Sequence, residues 1–353
     1  MHPTLRLLAS ALLATACTGK SDDTGSSGDP QQDDHRQAGP HPVTFGFETV
    51  DGAPVLVWSP ASAAGDGFAL SDITATPERA EVQQQLIEAA PSGCPSGDFA
   101  GAAGGERASG AWPLVAMSHC HECTANSLAS VATHLASWGH VVVAPSHEGN
   151  TLYDALSGTG LGLDTDTLAV RVSQLDAAID AAQGGALGVE VTDELMLVGH
   201  SFGAVTVGMR HQSEPVPTVF LGAPADNPLL AGVDAANLSA ASTWVLLEED
   251  NSIGDIGNTL IESNFAESTG PSRLVRFPDA GHWSVSDIVG MVDATMPGCG
   301  DDTRQDGSGE TFSYPNPGLA RSTTAGIVAT ALLDGVEALD ALDGWQTLQV
   351  EAQ

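Results

Sequence analysis

Short apolar runs alternate with amphipathic helical segments through most of this chain. Runs that are apolar throughout are typical of strands buried on both faces of a parallel sheet. The helical segments place apolar residues three or four positions apart, so each can cover a face of such a sheet. The apolar runs are residues 113–118, 140–145, 194–198, 218–221, 243–247 and 273–277, and the helical segments are 78–90, 127–138, 165–182 and part of 321–342.

This alternation predicts an α/β fold, specifically a three-layer α/β/α sandwich with a mostly parallel central sheet. A β-hairpin formed by residues 43–50 and 54–59 is expected before the regular part. Residues 91–111 are mostly Gly, Ala, Ser and Pro, which indicates a long loop. The connection between the fourth and fifth apolar runs is short, so no large lid domain is expected. We assign a single domain to residues 43–345.

The chain is strongly acidic. Its 353 residues include 45 Asp and Glu but only 11 Lys and Arg, giving a formal net charge of −34 at pH 7, and Lys20 is its only lysine. Nucleic-acid binding depends on clustered basic residues that release phosphate counterions. No such cluster exists here, so nucleic acid is excluded as a partner.

The first residues have the pattern of an export signal. Residues 1–16 combine a weakly basic start with an apolar stretch too short to span a bilayer. Small residues precede Cys17, which resembles a bacterial lipobox, and cleavage after Ala16 without acylation is the alternative. Residues 17–42 are rich in Ser, Asp, Gly and Gln and predict a disordered acidic tether. We therefore expect an exported protein, anchored to the outer membrane through a lipid on Cys17 or otherwise periplasmic or secreted.

Four further cysteines indicate disulfide bonds. With Cys17 set aside, Cys94, Cys120, Cys123 and Cys299 remain. In an exported protein this number favours two disulfides, for which three pairings are possible. The sequence leaves the pairing open.

A candidate nucleophile follows the third apolar run. Gly199, His200, Ser201, Phe202 and Gly203 form a G-x-S-x-G pattern between a predicted strand and a predicted helix. A sharp strand-to-helix turn crowds the backbone on both sides of the serine, and glycine fits there because it has no Cβ. The pattern therefore predicts a nucleophile elbow with an exposed serine hydroxyl.

A candidate base and acid follow in the chain order that such a serine uses. His282 comes directly after the last apolar run and is the predicted base. Asp250 lies one short turn after the preceding run and is the predicted acid, with Glu248, Glu249 and Asp255 as alternatives. A serine needs such a base to accept its proton and an acid to orient that base.

An ester-cleaving serine also needs two N–H groups that converge on the developing oxyanion. Phe202 is the predicted first donor because it lies at the N-terminus of the elbow helix. The second donor is expected from the loop after the first apolar run, residues 118–123, which read Ser-His-Cys-His-Glu-Cys.

These motifs resemble one branch of a known superfamily. PLVAMSH, HLASWGH, VVVAPSHEGNT, GHSFGA and AGHWS occur in that order. They are similar to bacterial dienelactone-hydrolase-like and platelet-activating-factor-acetylhydrolase-like esterases of the α/β-hydrolase superfamily. The resemblance implies an α/β-hydrolase fold and supports Ser201 and His282. Dienelactone hydrolases proper use a cysteine nucleophile, so the serine argues against that activity.

The resemblance also implies a role for the loop at residues 118–123. The family usually has S-H-G there, followed by the residue that donates the second oxyanion N–H. Ser118 and His119 match this motif, Cys120 replaces its glycine, and His121 falls at the donor position. The change at Cys120 allows the donor to shift by one residue to Cys120 itself.

The same loop has a rival interpretation. Cys120 and Cys123, with His119 and His121 beside them, have donor types that bind zinc. Residues so close in sequence make a strained tetrahedral site, so disulfides are favoured and no metal or organic cofactor is expected.

Taken together, the motifs predict an exported serine hydrolase that cleaves small-molecule or lipid carboxylic esters. Small esters are favoured because no lid is expected, and lipids or polyesters could also enter an open site. A catalytically silent surface binding lipoprotein, a zinc-dependent hydrolase, a peptidase and a thioesterase are the alternatives. Phe202, Trp283 and Tyr153 are candidates for an apolar acyl site or for packing. His200 is expected to pack, and His147 is expected to support its loop, with a place in the pocket lining as the alternative.

Overall fold

The structure is a computed structural model that describes residues 34–250, 252, 256–304 and 306–353. The expected signal peptide, the acylation site Cys17 and the tether up to residue 33 lie outside these residues, as does Asp255.

Fourteen strands occur in the described residues. In chain order they are β1 Val43–Val50, β2 Ala53–Pro60, β3 Phe68–Ala69, β4 Asp98–Phe99, β5 Ala102–Ala103, β6 Ala111–Ser118, β7 Val141–Pro145, β8 Glu190–His200, β9 Thr218–Leu221, β10 Ser242–Leu247, β11 Ser272–Phe277, β12 Asp301–Thr303, β13 Thr311–Ser313 and β14 Gln349–Ala352. The α-helices are α1 Pro77–Ala89, α2 Ala129–Ser137, α3 Leu152–Ser157, α4 Thr165–Gln183, α5 Phe202–Ser213, α6 Ile256–Glu267 and α7 Pro317–Ala329.

Ten of the described strands form one mixed sheet in the order β14-β11-β10-β9-β8-β6-β7-β2-β1-β5. The six strands from β11 to β7 are mutually parallel, as their apolar sequences predict. The hairpin β1–β2 joins one side of this block antiparallel to β7, and β14 joins the other side antiparallel to β11. The predicted α/β fold with a mostly parallel sheet is confirmed.

Helices cover both faces of the sheet. Along β6, Val115 and Met117 pack into one apolar cluster together with α2 and α7. Leu114 and Ala116 face the opposite way and pack with α4, α5 and α6. This alternation is the two-residue period of a strand buried on both sides. The three predicted layers follow from it, and the loops after the parallel strands meet at one sheet edge.

Both ends of the predicted domain extend further than expected. Residues 35–42, predicted as part of the tether, pack on the domain, where the N–H of His41 donates to the carbonyl oxygen of Ser137 at 3.0 Å. Strand β14 lies beyond residue 345 and pairs with β11. Three of its four residues are exposed, so no apolar run marks it in the sequence.

Two disulfides select one of the three possible pairings. Cys94 is joined to Cys299, 205 residues away, and Cys120 is joined to Cys123. The first links two loops that are distant in sequence, and the second closes a short loop after β6. Among the described residues, every helix is too short or too polar to span a bilayer.

Candidate active site

Ser201 occupies the sharp turn between β8 and α5. Its φ and ψ are 57° and −122°, a conformation that non-glycine residues rarely adopt, and its N–H donates to the carbonyl oxygen of Leu221 at 3.0 Å. A Cβ on Gly199 would overlap the backbone of Gly203, and a Cβ on Gly203 would overlap the carbonyl group of Ser118. Both glycines are therefore needed for close backbone approach, and the elbow helix packs directly against the end of β6.

Asp250 and His282 meet at the carboxyl ends of β10 and β11. The Nδ1 of His282 lies 2.7 Å from the Oδ2 of Asp250, and both side chains are buried. Burial raises the pKa of the Asp250 carboxyl, but the positive charge and hydrogen bond of His282, with hydrogen bonds from Ser252, lower it below its ordinary value overall. Asp250 is thus held as a carboxylate that orients the imidazole. A Cβ on Gly281 would lie 2.6 Å from the ring of Tyr314, so the turn before His282 requires glycine.

The acidic alternatives to Asp250 lie elsewhere. Glu249 forms an ion pair with Arg304 at 2.6 Å, and the side chain of Glu248 is exposed to solvent. Among the described acidic residues, only Asp250 has an ion pair with His282.

His200 supports the base from within the core. Its Nε2 donates to the carbonyl oxygen of His282 at 3.0 Å, and the two rings are 4.9 Å apart between centroids. Burial lowers the pKa of His200 to about 3, so the ring is neutral at ordinary pH. The predicted packing role of His200 therefore includes fixing the backbone of His282.

The loop after β6 places the two candidate oxyanion donors differently. His121 lines the same cavity as Ser201 and Phe202, whereas Cys120 is fully buried and does not. Within the described residues, no acceptor takes up the N–H of His121 or of Phe202. His121 is therefore the donor that the geometry favours, and Phe202 remains its expected partner.

Cys120 and Cys123 bond to each other and are not available as thiolate ligands. The ring nitrogens of His119 lie 2.7 and 2.8 Å from the carbonyl oxygens of Cys120 and Ser146. The residues present therefore do not fit the zinc site considered for this loop, and no cluster of three metal-binding side chains occurs in the described part of the chain.

Ser201 and His282 open onto one cavity of about 480 Å³. Its wall is largely apolar and combines residues of α3 and α5 with the loops that follow β6, β7, β9, β10 and β11. The apolar side chains that line it are Leu152, Ala155, Leu156, Leu163, Phe202, Val205, Ala223, Leu230, Trp283, Val292, Ala294 and Pro297. Most of these residues come from irregular segments, where the sequence carries no periodic signal.

Of the residues considered for an acyl site, packing or loop support, some line the cavity and others do not. Phe202 and Trp283 line the cavity, as an acyl site requires. Tyr153 lies outside it and donates its hydroxyl to Gln83 at 2.9 Å. His147 is fully buried, with its Nε2 2.9 Å from the hydroxyl oxygen of Ser118, and supports the loop rather than the cavity wall.

No family model matches the chain, and no curated protein is significantly similar in sequence. Among solved structures, the chain is similar to a ferulic acid esterase from Streptomyces cinnamoneus. The TM-score is 0.60 and the identity 16%, with 84% of this chain and 90% of the other covered. The fold is therefore of the α/β-hydrolase type, and the narrower esterase branch suggested by the motifs stays a prediction.

Proposed function

We propose that this protein is a serine hydrolase that cleaves carboxylic esters. One observation carries the proposal: a serine in a strained elbow and a histidine paired with a buried carboxylate open onto the same apolar cavity. This combination supplies a nucleophile, a base and an orienting acid in one place. The α/β-hydrolase-type fold, which a ferulic acid esterase shares, supports the same class.

In the proposed mechanism, the Oγ of Ser201 attacks the ester carbonyl carbon while the Nε2 of His282 accepts its proton. The N–H groups of Phe202 and His121 stabilise the tetrahedral oxyanion. The intermediate collapses, His282 returns the proton to the leaving alcohol, and an acyl group stays on Ser201. Water, deprotonated by His282, then attacks the acyl group and releases the acid, while the proton returns to Ser201. Asp250 holds His282 in the required tautomer throughout.

The size and the lining of the cavity limit which esters we expect as substrates. Its volume of about 480 Å³ exceeds what a short acyl group fills, and its lining is mostly apolar. We therefore propose neutral esters with an apolar acyl or aryl group of medium size, in place of the shortest esters that the lack of a lid favours. Glu122 at the cavity wall disfavours anionic substrates.

A labelling experiment tests the class of enzyme. A fluorophosphonate probe should label the wild type and Ser213→Ala, a control at the far end of α5, but not Ser201→Ala. A panel of p-nitrophenyl esters graded by acyl length should give the highest kcat/KM at intermediate length. Equal labelling of all three proteins, or no turnover of any ester by a folded wild type, would overturn the proposal.

We also propose that the protein is exported and acylated at Cys17. The lipobox-like sequence and the two disulfides support this, since disulfides persist in oxidising compartments. Wild-type protein expressed in a bacterial host should incorporate labelled palmitate and fractionate with membranes. Cys17→Ser should lose the label, and a wild type that stays unlabelled would contradict the proposal.

A further inference from the structure

A buried arginine lies beneath the loop that carries His121. Arg171 belongs to α4, its side chain is fully buried, and no carboxylate in the described residues forms an ion pair with it. Burial lowers the pKa of this guanidinium, and no nearby acid offsets that effect. Burying a cation without an ion-pair partner lowers the stability of the folded protein, so the hydrogen bonds that Arg171 does form are informative.

All of its hydrogen bonds go to groups around the oxyanion loop and the elbow. Arg171 donates to the carbonyl oxygens of His119 and Cys120, the latter at 3.4 Å. It also donates to the Oδ1 of Asn150 at 2.6 Å and the hydroxyl oxygens of Ser118 and Thr206, each at 3.2 Å. One side chain thus ties the end of β6, the loop after it and the elbow helix together.

These contacts fix the direction of the peptide that carries the His121 N–H. In a planar trans peptide the carbonyl and the N–H point in opposite directions. The carbonyl of Cys120 points into the core toward Arg171, so the N–H of His121 points away from the core, on the side where His121 lines the cavity. The Nδ1 of His119 lies 2.7 Å from the same carbonyl oxygen, so His119 and Arg171 hold this peptide together.

Two further contacts bring the same guanidinium to both halves of the oxyanion site. It lies over the ring of Phe202, 4.6 Å from the centroid. Asn150, which accepts from Arg171, also donates from its Nδ2 to the Nδ1 of His121 at 2.8 Å. The residues of both expected oxyanion donors are therefore in contact with the guanidinium, directly or through one amide.

We propose that Arg171 is a positioning residue for ester cleavage, which aligns the oxyanion donor on His121 and places a positive charge behind the developing oxyanion. This inference rests on the proposed function. Its specific consequence is an effect on the transition state, because the oxyanion exists there and not in the bound ester.

The test compares Arg171→Met, Arg171→Lys and Arg321→Met. Arg321 is the control because it is also buried and donates to a carbonyl oxygen, that of Cys94, away from the cavity, although it also pairs with Asp287 at 3.6 Å. Arg171→Met should lower kcat about 100-fold, the size of a lost oxyanion donor, with KM changed less than about 2-fold. Its affinity for a trifluoromethyl ketone that mimics the tetrahedral state should fall by the same factor as kcat/KM. Arg171→Lys should recover part of the loss, and Arg321→Met should keep kcat.

The outcomes separate this inference from the proposed function. A wild type that is folded but neither labelled nor active defeats the proposed function. If the wild type is active, and Arg171→Met unfolds at a lower temperature but keeps its kcat and its affinity for the ketone, the positioning role is refuted. If Arg171→Met does not fold, Asn150→Ala replaces it as the test. That variant should lower kcat about 5-fold, the value of one hydrogen bond, with KM unchanged, and an unchanged kcat would overturn the inference.

Discussion

The two sides of the cavity hold a strained backbone in place by opposite means. On one side, Ser201 has a φ of 57°, and the turn is fixed because Gly199 and Gly203 lack side chains that would collide. On the other side, Glu122 has a φ of 51° within a loop closed by the disulfide of Cys120 and Cys123. Strain of this kind costs roughly 1–3 kcal/mol per residue and persists only where the surroundings enforce it. Close packing enforces it at the elbow, and covalent closure with a buried cation enforces it at the loop.

The elbow and the loop should therefore respond differently to substitutions. The elbow should lose its structure when a side-chain atom is added at Gly199 or Gly203, because the backbone segments there are already in contact. The loop should fail when a bond is removed, because its disulfide and the hydrogen bonds from Arg171 help to hold it. Four further experiments can break or sharpen this contrast, beginning with the largest expected effect.

Adding one methyl group at the elbow should prevent folding. Gly203→Ala places a Cβ against the rigid carbonyl group of Ser118, and we expect a loss of more than about 3 kcal/mol or no folded protein. Gly97→Ala is the control, since its Cβ would meet open space, and it should change the free energy of unfolding by less than about 0.5 kcal/mol. Urea denaturation measures both, and a stable, active Gly203→Ala protein would refute the packing argument.

Removing the charge on Asp250 should affect the reaction more than the fold. Asp250→Asn leaves the shape intact but favours the wrong tautomer of His282, so kcat should fall about 10⁴-fold, as in other triads. Because the folded-state pKa of Asp250 lies below its ordinary value of 3.8, the pair stabilises the fold above that pH and loses this effect as pH falls through the lower folded value. The stability difference between the wild type and Asp250→Asn should therefore shrink below about pH 4. A difference that grows in acid would show that the sign is wrong.

Removing each disulfide should separate stability from activity. Replacing Cys120 and Cys123 by serine should cost about 2 kcal/mol, since the loop is short, and should lower kcat at least about 10-fold. Replacing Cys94 and Cys299 should cost about 4–5 kcal/mol because the closed loop is long, with kcat of the folded protein unchanged. Thermal unfolding and ester turnover measured on both double variants give the comparison. Equal effects of the two on kcat would remove the distinction between the loop and the rest of the molecule.

The smallest effect concerns the charge at the cavity wall. Glu122 is partly exposed and its Oε1 lies 3.8 Å from the Nε2 of His121. Glu122→Gln should raise kcat/KM for a negatively charged ester about 5-fold, the effect of roughly 1 kcal/mol of screened repulsion, and leave a neutral ester of equal size unchanged. Glu81→Gln, on the exposed side of α1, is the control. A uniform change for both esters would indicate that the loop had moved.

Much of the fold and of the elbow side could be predicted from the sequence because local patterns determine them. Continuous apolar runs fixed the parallel strands, and the order Ser201, Asp250, His282 followed from which strand each residue comes after. Strand β14 could not be predicted, since an exposed edge strand needs no apolar alternation. The disulfide pairing was likewise out of reach, because it depends on which loops the tertiary fold brings together.

Arg171 was missed although the sequence holds a signal for it. Leu168 and Leu175 lie three residues before it and four after it in α4, so Arg171 falls within the buried stripe of that helix. A charged residue in an apolar stripe indicates either a surface that the helix does not bury or a polar partner in the core. Only the tertiary structure identifies that partner as the carbonyl groups of the oxyanion loop.

The disulfide between Cys120 and Cys123 has a practical consequence for anyone who purifies this protein. If the protein is produced in a reducing cytosol or kept in dithiothreitol, the ten-stranded sheet can form while the loop beside Ser201 lacks its disulfide. Such a preparation would unfold at a lower temperature, and its folded fraction would still turn over slowly. The choice of host compartment and buffer thus decides whether an assay measures the enzyme or only its scaffold.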